Sequence, residues 1–516
     1  MSPRRLGVLA YLLCAAALIG WCARLDFARE GDGWEYLVLL DAFDRHGSPD
    51  VRSADLDAMF AHIDSWELTA HPPGREGLRS ARDVYAGELP HRFLTAADGR
   101  RYTAHFWIYS LTAYPAKLAL RAVGGREFNA LVVTNAGVFA LAVGALLFFG
   151  QGPPAQRIAL ALLMAVTPVA WYVTFTGVEV FCWALVTAAL LCLDRRAYAL
   201  SALAAAIAAT QNPPLILLAA VPIVLALWER RWRSAVLAVL GGSVAAWPVV
   251  YYGLQSGVPG VMARTNSDPA LISWSRTASL LVDLNAGLLP YVPVLLAAAL
   301  WAPVRLVAQR HRPGMLLAAA VTGVMLAVQV QINWNSDARG LQRYLVWMLP
   351  MLAWLVAQAW HGRARTWIVA ASVVTSGAVL VIDPPAPTNW LEQRAVAGWV
   401  MEHAPALYNP PFEVFAERSA HAEAPPLWMT QGRRDGWLAV LPAAHGRASG
   451  EVTKLLVQRD SREQLVERFR IDPTYLPVLL AAAEASVQPS YVHPPPGTVW
   501  AEPGTVDGRY APTAWP

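Results

Sequence analysis

Carboxylates are concentrated in the segment REGDGWEYLVLLDAF, which follows directly after the first apolar stretch of the chain. Asp32 lies between Gly31 and Gly33, so the backbone can turn sharply there and hold the side chain toward a cleft. Glu35 follows one helical turn later, and acids at this spacing could ligate a divalent cation, although nothing in the spacing requires a metal. A second interpretation stays open. Asp32 could cap a helix that starts near Gly33, with Glu35 completing a capping box.

A second group of polar residues lies in the segment QINWNSDARGLQRYLVWMLP, directly before an apolar run. It contains Asp337, Arg339 and Arg343. The planar guanidinium fork of arginine matches phosphate oxygens, so these residues form a candidate phosphate site. For Arg343 the alternative is an interfacial anchor, with Arg343 and Tyr344 facing lipid headgroups.

Three further residues could contribute to a site. Glu179, in TFTGVEVFCW, begins an apolar run, where an acid is expensive and indicates either a functional partner or a side chain that snorkels to the interface. His105 and Tyr109 could lie near a bound substrate, although a packing or anchoring role is favoured for both. The arginines of a later polar segment, Arg264 and Arg276, are predicted to be solvated.

Composition identifies the elements that must position these groups. The 516 residues are 56% hydrophobic and 15% charged, with a mean hydropathy of +0.35, which is too apolar for an ordinary soluble protein. All four cysteines lie in apolar runs, so no external disulfide is expected. Eleven runs approach the length needed to cross about 30 Å of hydrocarbon: Leu6–Ala23, Phe128–Phe149, Ile158–Tyr172, Gly177–Leu193, Tyr198–Thr210, Pro213–Trp228, Ser234–Leu254, Ala286–Val304, Gly314–Ile332, Leu345–Trp360 and Thr366–Ile382.

Arginine clusters in alternate gaps between these runs predict the orientation, since basic loops stay in the cytoplasm. The clusters are Arg4/Arg5, Arg157, Arg195/Arg196, Arg230/Arg231/Arg233, Arg305/Arg310/Arg312 and Arg363/Arg365. The alternation holds only if the segment from His105 to Arg121 does not cross. We therefore predict a surface helix there, with Trp107 and Tyr109 at the interface. The net charge of +4 then reflects topology and indicates no nucleic-acid binding.

This topology places the amino terminus in the cytoplasm and the long polar segments on the outer face of a bacterial inner membrane. The first external loop covers residues 25–127 of a membrane domain that covers residues 1–382. The tail, residues 383–516, contains strand-like GWLAVLP and VTKLLVQ and helix-like SREQLVERF and LPVLLAAAEASV. The predicted fold class is an all-α polytopic membrane protein with about 11 spans and a small α/β extracytoplasmic domain at its carboxyl end.

The order of these features resembles the GT-C superfamily of membrane glycosyltransferases, which includes protein O-mannosyltransferases and aminoarabinose transferases of lipid A. The likeness is to an uncharacterised bacterial branch. The motif "GDG…Y" corresponds to Gly31–Tyr36, and the motif "NP…E.FAER" corresponds to Asn409–Arg418. The resemblance covers roughly residues 1–382 and extends weakly into the tail. Asp32 is followed here by Gly33, where the mannosyltransferases have a second acid.

The resemblance implies transfer of a sugar from a polyprenyl-phosphate donor to an acceptor hydroxyl of a glycan, lipid or protein, at the outer face of the inner membrane. Asp32 matches the catalytic acid of the first loop and would be the base that takes the acceptor's proton. Glu179 matches a second acid of related transferases, and Arg343 would hold the donor phosphate. The substitutions Glu30→Gln and Asp41→Asn, at the other carboxylates of the first segment, are predicted to affect transfer mildly by comparison with Asp32→Asn.

A non-catalytic transporter of lipid-linked sugars, or an assembly component for envelope polysaccharide, is the alternative function. Such a transporter needs polar residues through the bilayer midplane, and this sequence has few of them. The sequence leaves the sugar, the acceptor, the stereochemical outcome and the metal dependence open.

Overall fold

The protein is described by a computed structural model that covers residues 3–25, 32–65, 93–96, 99–257, 267–335, 340–384, 392–404, 407–411, 414–415, 418, 438–442, 452–457 and 490–492. It divides into two compact units. The large unit contains Met1–Ser267, Tyr291–Val328 and Arg343–Pro384. The small unit contains Asp268–Pro290, Gln329–Gln342 and Pro385–Pro516. The segments Asp268–Pro290 and Gln329–Gln342 therefore group with the tail.

The large unit is built almost entirely from helices. In chain order they are α1 Pro3–Cys22, α2 Gly33–His46, α3 Ser53–Ser65, α4 Ile108–Ala122, α5 Ala130–Phe149, α6 Pro154–Ala165, α7 Val169–Tyr172, α8 Glu179–Asp194, α9 Tyr198–Gln211, α10 Ile216–Trp228, α11 Trp232–Gly242 and α12 Trp247–Ser256. The next helices in the chain are α13 Trp274–Val282, which belongs to the small unit, and α14 Leu288–Tyr291, whose first three residues belong to it. The large unit then continues with α15 Pro293–Ala308, α16 Arg312–Val328, α17 Arg343–Val346, α18 Leu349–Ala359 and α19 Gly362–Ile382.

Within the described ranges, four helical segments are long and apolar enough to cross a membrane: Arg5–Cys22, Glu127–Phe149, Trp232–Ser256 and Gly362–Ile382. Shorter apolar helices coincide with other predicted spans, at Pro154–Ala165, Tyr198–Gln211, Pro213–Trp228, Pro293–Ala308 and Arg312–Val328. The prediction of a helical chain with membrane-type helices is thus confirmed at this level. The total of eleven spans stays a prediction.

Burial separates the inner helices of the large unit from its periphery. Trp183 of α8 and Trp347 are fully buried, whereas few residues of the segment Trp232–Ser256 are buried and apolar side chains such as Leu240 are exposed there. An apolar surface of this kind is costly in water and suits contact with lipid chains.

A two-stranded antiparallel hairpin, β1 Phe93–Thr95 and β2 Arg101–Thr103, leads into α4. Behind it lies a small aromatic core in which Tyr102 and Phe106 pack against Tyr252 of α12. The Tyr252 hydroxyl donates a hydrogen bond to the carbonyl oxygen of Thr103 at 3.1 Å. This packing fixes the short segment that carries His105.

The small unit combines α13 with α20 Ala395–His403 and a three-stranded antiparallel sheet in the order β3 Leu438–Pro442, β4 Val452–Val457, β5 Ser490–Val492. Strands β3 and β4 match the two strand-like runs predicted in the tail. The two helix-like runs of the tail lie outside the described residues.

The prediction of a solvated Arg276 is wrong. Its side chain is buried, it donates hydrogen bonds to the carbonyl oxygens of Gln329 and Gln331, and its guanidinium lies 4.4 Å from the centre of the Trp334 ring. Carbonyl dipoles and an aromatic face therefore stabilise the charged guanidinium, which lets this arginine pack inside the unit. Arg264 lies outside the described residues.

Candidate functional site

Helix α2 begins at Gly33 with Asp32 at the N-cap position. The Asp32 side chain makes no capping hydrogen bond to the backbone of this helix. The capping-box interpretation therefore fails for the side chain, because an N-cap carboxylate is defined by accepting from the backbone N–H of the first turn. The carboxylate is directed elsewhere.

Asp32 faces two cations that come from distant parts of the chain. One terminal nitrogen of Arg343 (Nη1) lies 3.1 Å from Asp32 Oδ2, and His105 Nε2 lies 3.3 Å from the same oxygen. The other terminal nitrogen (Nη2) of Arg343 donates to the Tyr344 hydroxyl at 3.2 Å. The fork of Arg343 thus bridges the first-loop carboxylate and the beginning of α17. Asp32 stays partly accessible, with 23% of its side chain exposed.

Glu35 occupies the other side of His105. Its Oε2 lies 2.7 Å from His105 Nδ1, and its side chain is only 2% exposed. Burial by itself lowers the pKa of His105, but the charges of Asp32 and Glu35 and hydrogen bonds to both outweigh it and raise the pKa to about 10. His105 is therefore an imidazolium at neutral pH and donates one hydrogen bond to each carboxylate.

Gly33 allows this motif to lie against the turn that precedes α8. A Cβ atom on Gly33 would come within 2.6 Å of Thr176 Cβ and closer still to Thr176 Oγ1. The turn itself is held by Asn135 of α5, whose amide donates to the carbonyl oxygens of Phe175 at 2.7 Å and of Gly177 at 3.2 Å. A glycine is thus needed at position 33 for the close approach of this backbone to the Thr176 side chain.

Glu179 is the first residue of α8, directly after that turn, and it is buried with 5% exposure. Burial first, then the negative charges of Asp32, Glu179 and Glu35, raise the pKa of Tyr36 well above its usual value. This coupling places Glu179 in the electrostatic neighbourhood of the two first-loop acids. A buried acid does not snorkel to an interface, so the first of the two interpretations of Glu179 fits the structure better.

The Tyr109 side chain is fully buried. Its hydroxyl donates to Asn135 Oδ1 at 2.9 Å, and its ring packs edge-on against Tyr36 with 5.1 Å between centroids. The predicted place at the membrane interface is therefore wrong for Tyr109. Tyr109 instead packs inside the protein, where it contacts Asn135 and Tyr36.

The structure thus brings together Asp32, Glu35, His105, Arg343 and Tyr344, with Glu179 and Tyr109 beside them. Two predicted phosphate-site residues, Asp337 and Arg339, and the acid Glu30 lie outside the described residues. The pairing of His105 with both acids is a feature that the sequence analysis missed. A histidine within the first external loop was the available signal, but nothing in the spacing showed which groups it meets.

A second ion-pair group, also missed, joins α2 to α4. Lys117 is 2% exposed and pairs with Asp41, and its ammonium lies 3.1 Å from Asp44 Oδ2. Arg121 pairs with Asp44 and lies 2.7 Å from Glu127. The hydrogen bond from Arg121, acting against burial and together with Lys117, lowers the pKa of Asp44 to about 2. Because Asp41 is buried against Lys117, its replacement is expected to destabilise the fold.

Asp32, Glu35 and His105 could also hold a divalent cation, since one ligand atom of each lies within 4.8 Å of the others. Two carboxylates and an imidazole suit zinc or manganese. The two ring nitrogens of His105, however, face different carboxylates, and Arg343 already faces Asp32. These contacts fit a protonated histidine that bridges two acids better than three ligands directed at one ion.

No protein-family model, no curated protein and no solved structure matches this chain.

Proposed function

We propose that this chain is a membrane glycosyltransferase that transfers a sugar from a polyprenyl-phosphate donor to an acceptor hydroxyl at the outer face of the bacterial inner membrane. The observation that carries the proposal is the pairing of Asp32 with Arg343 across 311 residues of sequence, at 3.1 Å. A candidate base and a candidate phosphate ligand, predicted from separate loops, lie in direct contact.

Transfer requires an acceptor oxygen to attack the anomeric carbon while the bond from that carbon to the phosphate oxygen breaks. The acceptor proton passes to Asp32, and the electron pair of the broken bond leaves on the polyprenyl phosphate. A carboxylate is suited to the first task because a hydroxyl is a poor nucleophile until a base takes its proton. Arg343 is suited to the second, because a preorganised cation stabilises charge as it develops on the leaving phosphate.

Arg343 would be shared between the two tasks. Without donor its fork faces Asp32 and the Tyr344 hydroxyl. A donor phosphate would compete with Asp32 for the same N–H groups, and loss of this cation raises the proton affinity of a carboxylate. Donor binding would thereby prepare Asp32 to act as a base.

Asp32 is the better candidate for the base of the two first-loop acids. Its side chain is 23% exposed, whereas that of Glu35 is 2% exposed and faces His105. A base must reach the proton it removes within hydrogen-bond distance, directly or through one water. In this assignment Glu35 positions His105, and the imidazolium holds the Asp32 carboxylate in place.

The test is transfer by the purified protein in liposomes, supplied with polyprenyl-phosphate-linked hexoses and pentoses, in the parent and in Asp32→Asn. Transfer should fall by about 10²–10⁴-fold, which is typical when a general base is lost. The matched control is Asp57→Asn, an exposed acid on α3, which should transfer at the parental rate. Parental transfer by Asp32→Asn would remove Asp32 from the chemistry. Absence of transfer by the parent with every donor would favour the transporter alternative.

The phosphate role of Arg343 is tested by Arg343→Lys. Lysine keeps the charge but cannot present two N–H groups in one plane to Asp32 and to a phosphate. The KM for the donor should rise in Arg343→Lys, while the thermal unfolding midpoint should change little. The control Arg45→Lys changes a half-exposed arginine of α2 that faces Asp55. An unchanged donor KM in Arg343→Lys would leave Arg343 as a structural partner of Asp32 alone.

A further inference from the structure

Three helix ends of the large unit share one backbone motif. After α8, α10 and α15, the chain turns into the next helix through the same pair of hydrogen bonds. The amide of Ala197 donates to Cys192, that of Arg231 to Ala226 and that of His311 to Leu306, each across six residues. The preceding residue in each turn donates across four residues, to Leu193, Leu227 and Val307. This is the Schellman C-cap.

The residue that must adopt the left-handed conformation in this cap is an arginine in all three turns. Arg196, Arg230 and Arg310 have φ values of 56°, 58° and 53°. Glycine normally takes this position, because a Cβ disfavours the left-handed region. The same cap after α4 does use glycine, with φ 66° at Gly124. The left-handed backbone conformation therefore favours a glycine at these three turns and gives no reason for an arginine there.

Aromatic contacts place the three turns next to one another in the large unit. The guanidinium of Arg231, beside Arg230, lies 5.7 Å from the centre of the Tyr198 ring, two residues after Arg196. The guanidinium of Arg312, two residues after Arg310, lies 4.6 Å from the centre of the Trp228 ring, two residues before Arg230. We name the set Arg196, Arg230 and Arg310 the arginine rim.

All three side chains of the arginine rim are exposed. Within the described part of the chain, none of them makes a hydrogen bond or an ion pair with another residue. Neighbouring arginines behave differently. Arg195 donates to the carbonyl oxygen of Leu191 at 2.9 Å, and Arg305 donates to that of Ala359 at 3.0 Å. Arg195 and Arg305 thus bind carbonyl oxygens of the protein, whereas the rim arginines are left exposed to their surroundings.

The surface next to the rim is apolar. Leu200 is 58% exposed, Trp232 is 64% exposed and Val307 is 58% exposed, each within four residues of a rim arginine. A row of cations directly beside exposed apolar and aromatic side chains matches the boundary between hydrocarbon and headgroups of a bilayer leaflet.

We infer that the arginine rim is a binding surface for anionic phospholipid headgroups, in which the turns accept a strained backbone so as to present a guanidinium to lipid phosphate. A zwitterionic lipid has the same chains and one phosphate but no net charge, so it should bind less well. Free phosphate lacks the chains that the neighbouring apolar surface contacts. The partner is therefore the anionic lipid.

The experiment follows the thermal unfolding midpoint of the purified full-length chain in neutral detergent during titration with short-chain phosphatidylglycerol. Phosphatidylcholine and inorganic phosphate are the comparison titrants. The key variant replaces all three rim arginines with glycine, which removes charge while it relieves the left-handed backbone. A matched variant replaces them with lysine, which keeps both charge and strain.

Phosphatidylglycerol should raise the midpoint of the parent and of the lysine variant. The glycine variant should need about 10- to 100-fold more lipid for the same rise, given the usual attraction of a basic residue to an anionic surface. Before titration the glycine variant should be at least as stable as the parent. A glycine variant that responds like the parent overturns the inference, as does a lysine variant that fails to respond. An equal effect of inorganic phosphate on the parent would also overturn it.

If the glycine variant does not fold, the triple asparagine variant replaces it, because asparagine tolerates the left-handed region and carries no charge. The response of the asparagine variant to phosphatidylglycerol is then compared with those of the parent and the lysine variant. Transfer of sugar is not used as a readout, so the proposed catalytic function and this lipid site succeed or fail separately.

Discussion

His105 offsets part of the negative charge of the candidate site. It and Arg343 contribute positive charge beside Asp32 and Glu35, and Glu179 is a third acid in the same electrostatic neighbourhood. A cluster of acids alone would repel a lipid-linked phosphate, and a cluster of bases alone would bind it without leaving a base for the acceptor. With both present, a phosphate can take Arg343 while the imidazolium still holds the carboxylates in place.

The raised pKa of His105 gives the fold a pH dependence whose sign is fixed. Its pKa of about 10 exceeds the usual 6.5, so the folded state binds the proton more tightly than the unfolded chain does. Protonated His105 therefore stabilises the fold fully below about pH 6.5, and this contribution is lost as pH rises through about 10. Glu35→Gln removes one of the two charges that hold the proton.

We expect the unfolding midpoint of Glu35→Gln to decline at lower pH than that of the parent, in a series from pH 6 to about 10. Imidazole NMR shifts of the same variant should show His105 titrating closer to its ordinary value. Asp57→Asn, which changes an exposed acid, should follow the parent across the series. Identical pH profiles for Glu35→Gln and the parent would show that Glu35 does not control the charge of His105.

Sequence patterns located the ingredients of this site but not their contacts. Asp32 stood out because two glycines flank it, and Arg343 because it lies where a polar loop meets an apolar run. Their contact spans 311 residues and depends on how α17 packs in the large unit, which local pattern does not encode. Arg276 shows the opposite error, since a loop arginine was buried by partners from another segment.

At the scale of elements, Gly33 joins the first-loop motif to the turn before α8. Gly33→Ala places a methyl group against Thr176, which must then move. Overpacking of this kind costs about 1–3 kcal/mol, so the unfolding midpoint should fall and sugar transfer should fall with it. The double variant Gly33→Ala, Thr176→Gly removes the contacting atoms and should recover much of the stability. A double variant as unstable as Gly33→Ala alone would locate the constraint elsewhere.

The pairing of α2 with α4 is a second constraint between elements. Asp41→Asn would leave Lys117 buried with Asp44 as its nearest acid, at 3.1 Å. Breaking a buried pair from one side costs about 3–5 kcal/mol, and the remaining acid places the expected loss near the lower value. Asp41→Asn should therefore lower the thermal unfolding midpoint clearly.

The control for this pair is the double variant Asp41→Asn, Lys117→Met, in which no buried ammonium is left without its partner. Replacing both members of a buried pair is often close to neutral. The double variant should thus be more stable than Asp41→Asn. A double variant that is less stable would mean that Lys117 stabilises the fold mainly through Asp44 and Glu127.

At the scale of the molecule, apolar runs located most helices, because the hydrophobicity and the length of a run can both be read from the local sequence. The run Phe128–Phe149 corresponds to α5, and the run Ser234–Leu254 corresponds to the helical segment Trp232–Ser256. The run Leu345–Trp360 was less well predicted. It is divided into α17 and α18, and Pro350 in the first turn of α18 explains a new start there.

The orientation of the whole chain depends on α4, Ile108–Ala122. Its 15 residues extend about 22 Å, which is less than the hydrocarbon thickness of about 30 Å. It also buries Lys117 against acids of α2, an arrangement that suits a surface helix. We therefore expect α4 not to cross, and reporter fusions after Arg195, Arg231 and Arg310 to indicate the cytoplasm.

Fusions after Ser267 and Asp383 should indicate the outer side, because an odd number of crossings separates each from those basic turns in the predicted topology. The comparison can fail clearly. An external reporter after Arg231 would require α4 to cross, and every later arginine cluster would then lie outside. The candidate base would remain next to Arg343, but a donor presented at the outer face could no longer be assumed, and the proposed reaction would have to be moved to the other side of the membrane.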